Sequence, residues 1–187
     1  IGVIRVSGDR ALEIVEIATQ VKLRNWGMRH AVFRNPTTGE AIDDVIVSFM
    51  AGPKSYTGED VVEISSHGSP AVLHTILSVL IREGCRPADP GEFSRRAFIN
   101  GKLDLIQALS ILSIIEAKNY QIVEAAHHQL RGRYSDDVRL LADALTDLLV
   151  DIEASVDYPD DVGSHAADWL KVLERLSVHL AQLLGAS

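Results

Sequence analysis

The chain has 187 residues, 47% of them hydrophobic, a length that suits one globular domain or two small ones. No run of about 18 apolar residues occurs, which excludes a membrane-spanning helix, and the single cysteine, Cys85, excludes an internal disulfide framework and fits a reducing cytosol. The net charge of −8 is uneven: residues 1–102 hold 12 Lys/Arg and 12 Asp/Glu, residues 103–187 hold 6 and 14, so the second part is a poor partner for a phosphate backbone.

The chain opens on a strand-like segment, IGVIRVS, with no basic segment that would mark a secretory signal. Asp9 then reads as the N-cap of a helix over ALEIVEIATQV. MRHAVFR and AIDDVIVSFM, separated by NPTTGE, read as an antiparallel strand pair, and DVVEISS as a further strand. HGSP leads into the helix AVLHTILSVLIREG, with Ser69 as cap, Pro70 in the first turn and Gly84 at the end. Pro90-Gly91-Glu92 starts a short helix carrying Arg95 and Arg96, one of which must face solvent. Strands and helices interleave with hairpin-like neighbours, which predicts an α+β fold over a doubly wound parallel sheet.

From about residue 103 only helical periodicity remains. Leu105, Leu109, Leu112, Ile115, Ile122, Ala126 and Leu130 form one stripe, predicting a long helix from Asp104. Val138, Leu141, Leu145, Leu148, Ile152 and Val156 mark a second helix beyond Gly132, stopped by Tyr158-Pro159. Leu170, Leu173, Leu176, Leu180 and Leu183 mark a third. The domain boundary is therefore expected between an α+β part, residues 1–102, and a helical part, residues 103–187.

Nucleotide-binding and acyl-transfer signatures are absent: there is no GxxxxGK[ST], no GxGxxG after a strand and no nucleophile elbow. The adjacent His127 and His128 point in different directions on a helix and cannot face one metal ion. What remains is a set of charges at strands and loops. Arg5 shares a strand face with Val3 and Ser7; it is either a solvent-facing arginine or a guanidinium beside a pocket. Glu63, in DVVEIS, either faces solvent or needs a donor, and an amino-pyrimidine edge would satisfy it. Lys102 follows Asn100-Gly101 and precedes Asp104 and Gln107; it is either part of a turn into a helix or a ligand contact. Thr57-Gly58-Glu59-Asp60 reads as a turn, and His67 as a hydrogen bonder at a strand-to-helix corner.

Four co-linear stretches carry a resemblance: GVIRVSG at 2–8, GPKSYTGEDVVEISSHG at 52–68, PGEFSRRAFINGKLDLIQA at 90–108 and IEASVDYPDD at 152–161. Together they resemble the N-terminal part of the MnmE (TrmE) family of tRNA modification GTPases. The resemblance implies a domain similar to the tetrahydrofolate-binding domains of glycine-cleavage aminomethyltransferases, followed by part of an all-α helical domain. It implies binding of 5-formyl- or 5,10-methylene-tetrahydrofolate, with Arg5, Glu63 and Lys102 at the family's folate contacts and Glu63 on the pterin's amino edge. It further implies a homodimer through the N-terminal domain, an MnmG-type flavoprotein partner, tRNA as substrate of the full complex and a cytoplasmic setting.

The family has one more strand and a Gly/Arg-rich loop before GVIRVSG, and its GTPase domain, with GTP, Mg and K, is expected beyond residue 187. This chain alone is therefore expected not to hydrolyse GTP, and to associate through its open sheet edge and apolar helical stripe. Leu109 and Ser113 stand where the family often has acidic residues. Two other readings are a folate-dependent aminomethyltransferase-like protein and a structural dimer scaffold without ligand.

Overall fold

A computed structural model describes residues 1–157 and 166–185. The chain forms two compact units, one over residues 1–104 and one from Leu105 onward. The first is α+β and the second is built of helices.

In the first unit, β1 (Gly2–Ser7), β2 (Gly27–Arg34), β3 (Ala41–Met50) and β4 (Val61–Ser66) form one antiparallel sheet in the order β1-β4-β3-β2. Alternation along the strands separates its two faces. Ile4 on β1, Val45, Val47 and Phe49 on β3, and Val62 and Ile64 on β4 are buried with α1 (Ala11–Thr19) and α2 (Pro70–Arg82). Ile14, Val15 and Ala18 of α1 and Ile76, Val79 and Leu80 of α2 complete this core. Each such aliphatic side chain contributes about 1.5–3 kcal/mol on leaving water. The opposite face carries a row running across the sheet: Arg5 is paired with Glu63, Glu63 with Ser48, and Ser48 with Met28.

The expected cap at Asp9 is not formed. The helix begins at Ala11, as expected, but Arg10 holds the cap position without a side-chain cap bond, and the Gly8 carbonyl takes the Ala11 N–H at 3.0 Å. Ser69 does occupy the N-cap of α2 in extended conformation, followed by Pro70, but its hydroxyl makes no cap bond. Helix α3 (Glu92–Ile99) is the short helix expected after Pro90, with Arg95 exposed and Arg96 turned inward.

In the second unit, the expected single helix from Asp104 to Leu130 is two helices, α4 (Leu105–Glu116) and α5 (Tyr120–Leu130). Asn119 makes the break. Its backbone is extended, and its Oδ1 accepts the Ile122 N–H at 3.0 Å, capping α5. Periodicity missed the break because the apolar positions continue across it. Gly132 separates α5 from α6 (Arg133–Asp157), which buries Leu141 and Leu148; α7 (Ala166–Gly185) packs on α6. The stop expected at Tyr158-Pro159, and the end of the YPDD stretch, lie outside the described residues. On α4, Leu105, Leu109, Leu112 and Ile115 are all exposed. No helix among the described residues is long and apolar enough to cross a membrane.

Candidate functional site

The site sits on the sheet face away from α1 and α2, where the end of β1 meets the loop 51–60 and α3. Antiparallel pairing places Arg5 directly opposite Glu63 on neighbouring strands. The guanidinium donates from Nε at 2.8 Å and from Nη2 at 2.5 Å, both to Glu63 Oε1. Neither side chain is deeply buried: Arg5 is 43% exposed and Glu63 30%. The rings of Tyr56 and Phe93 each lie 5.8 Å from the Arg5 guanidinium carbon, within cation–π range. Tyr56 is held in turn by a 2.9 Å hydrogen bond between its hydroxyl and Ser94 Oγ.

Lys102 comes from the turn after α3. Its Nζ donates to the Pro53 carbonyl at 2.9 Å, which ties it to the same loop that carries Tyr56. Thus the structure joins Arg5 and Glu63 directly, whereas Lys102 is tied to the loop 51–60 through Pro53. A cleft of about 260 Å³ runs along β1 between the N-terminus of α1, the end of α2 and α3. Arg5, Arg10, Phe93 and Arg96 line it, whereas Glu63 and Lys102 do not.

The loop 51–60 is far more organised than the turn expected from Thr57-Gly58-Glu59-Asp60. Thr57 is fully buried, and its Oγ1 lies 2.7 Å from Ser7 Oγ. Ser7 also donates to Glu59 Oε2 at 2.8 Å, and Arg96 Nη1 donates to the same oxygen at 2.8 Å. The Asn100 amide donates to the Thr57 carbonyl at 2.7 Å. Gly58 lies in the left-handed region at φ +81°, and a Cβ there would stand 3.0 Å from Asn100 Cβ. Gly52 closes the loop from the other side, where a Cβ would meet the Gly58 carbonyl oxygen at 2.7 Å.

Behind this loop, Glu92 is the buried centre of an ion network. It accepts from Arg86 Nη1 and Nη2, from Arg96 Nε and Nη2, and from the Asp89 backbone N–H. The Arg86 guanidinium, the Asp89 N–H and Arg96 hold its carboxyl well below the usual carboxylate range. The matching hydrogen bonds push the Arg86 and Arg96 guanidiniums up. These residues hold the shape of the loop and α3; the sequence placed Glu92 and Arg96 on a short helix but did not anticipate their ion network with Arg86. The available signal was PGE followed by two arginines, with Glu92 and Arg96 one helical turn apart.

One further sequence expectation concerns a residue outside the site. His67 is a corner hydrogen bonder: its N–H donates to Asp43 Oδ2 at 2.8 Å and its Nδ1 lies 2.7 Å from Asp43 Oδ1. Burial pushes the Asp43 carboxyl up, but the backbone and side-chain bonds from His67 outweigh it and leave the group below its ordinary value. Burial pushes the Cys85 thiol up, as suits a packed rather than a reactive sulfur. Among the described residues no group of three or more His, Cys, Asp or Glu could hold a metal ion.

Chemically, the arrangement is a recognition surface. It offers a partly exposed ion pair, two aromatic rings and an ammonium group. Comparison with known families gives two matches: residues 1–102 match the family described as GTP-binding protein TrmE N-terminus, and residues 105–187 match the MnmE helical domain. The chain is similar to the tRNA modification GTPase MnmE of Moorella thermoacetica, 41% identical over 192 residues, covering 99% of this chain and 42% of the relative. It is 46% identical over 165 residues to that of Thermus thermophilus, covering 86% and 38%. Against that of Halorhodospira halophila it is 44% identical over 187 residues, covering 98% and 39%. The chain thus spans about two fifths of the length of these relatives.

Proposed function

This chain belongs to the MnmE family of tRNA modification GTPases, and on that premise we propose that residues 1–102 bind a reduced folate and mediate dimerisation within a longer enzyme. The observation that carries the reading is the Arg5–Glu63 pair, partly open to solvent and flanked by Tyr56 and Phe93. A folate suits these residues. Its pterin has a hydrogen-bonding edge for Glu63 and Arg5, its planar rings match the aromatic side chains, and its polar groups suit Lys102. Bound 5-formyl- or 5,10-methylene-tetrahydrofolate would supply a one-carbon unit. The chain's own part is to hold and orient the cofactor through Arg5, Glu63 and Lys102.

Residues 103–187 contribute helices to an all-α domain. GTP hydrolysis, with its Mg and K ions, is assigned to the portion of the relatives that this chain does not span. The full protein would work in the cytoplasm as a homodimer with an MnmG-type flavoprotein, on the wobble uridine of tRNA.

Calorimetric titration with 5-formyl-tetrahydrofolate tests the site. Saturable binding by this chain, weakened more than about tenfold in Glu63→Ala, is expected for a lost charge-assisted hydrogen bond. Unchanged affinity in Glu63→Ala removes that residue from the site. One observation favours a second reading, a scaffold without ligand: Arg5 and Glu63 already satisfy one another. Absence of saturable binding selects that reading.

A further inference from the structure

We propose that the start of β2, with the turn before it, is a docking surface for the backbone of tRNA, on which Trp26 takes an unpaired base. The inference rests on tRNA being the substrate of the full protein and is independent of the folate site. It begins with charge. Residues 17–39 carry Lys22, Arg24, Arg29, His30 and Arg34 and no Asp or Glu. Because β2 ends the sheet, this segment has an open flank.

Three of these groups are already engaged. Lys22 is taken by Glu16, Arg34 donates to the Gly39 carbonyl at 3.3 Å, and His30 lies 3.4 Å from Asp44. Arg24 and Arg29 are exposed, and neither side chain has an ion pair or hydrogen bond among the described residues. The cross-strand partners of residues 27–30 are Phe49, Ser48, Val47 and Ile46, none of them acidic. A Cβ built at Gly27 would stand 3.5 Å from Arg24 Cβ. Arg24 therefore lies on the strand face that Gly27 shares with Arg29, and positions 27 and 29 are about 7 Å apart. Two guanidiniums so placed suit successive phosphates of one strand.

Between them in sequence stands Trp26, 65% exposed and at φ +58°, a left-handed conformation that a bulky side chain rarely adopts. The turn is pinned. The Trp26 N–H donates to the Phe49 carbonyl at 2.8 Å, the Gly27 N–H to the Arg24 carbonyl at 2.9 Å, and the Ala51 N–H to Asn25 Oδ1 at 2.9 Å. An open indole beside free guanidiniums fits a base with its phosphates, since stacking needs an exposed ring and no particular base edge. The same charges disfavour the other use of an open edge, addition of a strand from a second protein.

Fluorescence anisotropy of a labelled tRNA transcript with this chain, over about 50–200 mM salt, provides the test. Saturable binding that weakens with salt is expected. Arg24→Gln and Arg29→Gln should each flatten the logarithmic salt dependence by about one. Trp26→Gly should weaken binding about fivefold or more, and Trp26→Phe should keep most of the affinity. Glycine suits the left-handed backbone, so the melt of Trp26→Gly should stay at or above that of wild type. Arg175→Gln, in the acidic second unit, should change nothing. Equal affinity and salt dependence in the β2 variants, or an equal loss in Arg175→Gln, would overturn the inference and leave tRNA as the substrate. Polyglutamate bound as tightly as tRNA, and no less by Trp26→Gly, would overturn it in favour of an acidic protein partner. Absence of tRNA binding would also overturn it, while 5-formyl-tetrahydrofolate binding in the same sample would keep the folate reading.

Discussion

Arg96 and Glu59, 37 positions apart in sequence, are joined by a 2.8 Å hydrogen bond that fastens α3 to the loop 51–60. The same guanidinium reaches Glu92 through its other nitrogens, and Glu59 reaches Ser7 of β1. One chain of charged and polar contacts therefore connects the strand bearing Arg5, the loop bearing Tyr56 and the helix bearing Phe93. The groups around the Arg5–Glu63 pair are held in place by this network.

Glu92→Gln should lower the melting temperature by several degrees, because it leaves Arg86 and Arg96 without their shared carboxylate. The pH dependence has a definite sign. The folded-state value of Glu92 is depressed below its ordinary 4.5, so its stabilisation is complete above that value and is lost as pH falls through the folded one. Thermal melts between neutral pH and the acid range should show wild type losing this contribution below about pH 4.5 and Glu92→Gln lacking that component.

Gly58→Ala should loosen the loop 51–60. A left-handed conformation costs an alanine roughly 1–2 kcal/mol, and its Cβ would press on Asn100 at 3.0 Å. The expected outcomes are a lower urea midpoint and faster amide exchange in the loop; an unchanged midpoint would contradict the geometry.

Phe33→Ala removes a fully buried ring from β2 and should cost about 3–5 kcal/mol. Chemical denaturation followed by circular dichroism measures it.

Asn119→Ala removes the cap that starts α5 and should cost about 1 kcal/mol. If α4 and α5 were one continuous helix, the same substitution would instead raise helicity, so far-ultraviolet circular dichroism distinguishes the two outcomes.

Much of the fold was legible in the residue pattern. The strands, the hairpin and the apolar faces of the helices follow from periods of two and of three to four, which burial enforces along the strands and along α1 and α2. What was not legible depended on partners distant in sequence. Asn119 interrupts a stripe without changing its period, so a local cap overrode periodicity. Glu59 and Thr57 have the composition of a turn, and only the approach of Arg96, Ser7 and Asn100 makes them structural. Arg5 and Glu63 were suspect because each puts a charge into an apolar strand. That they face one another is a matter of register, which neither strand specifies alone.

Register carries a final consequence. Shifting β1 by one residue against β4 would turn Arg5 toward Val15 and Ile76 and expose Ile4, so charge burial and lost apolar contact would penalise the error together. Selection for a foldable sheet and selection for a usable site therefore act on the same alignment of two strands. A chain that misaligns them loses part of its core together with the Arg5–Glu63 pair.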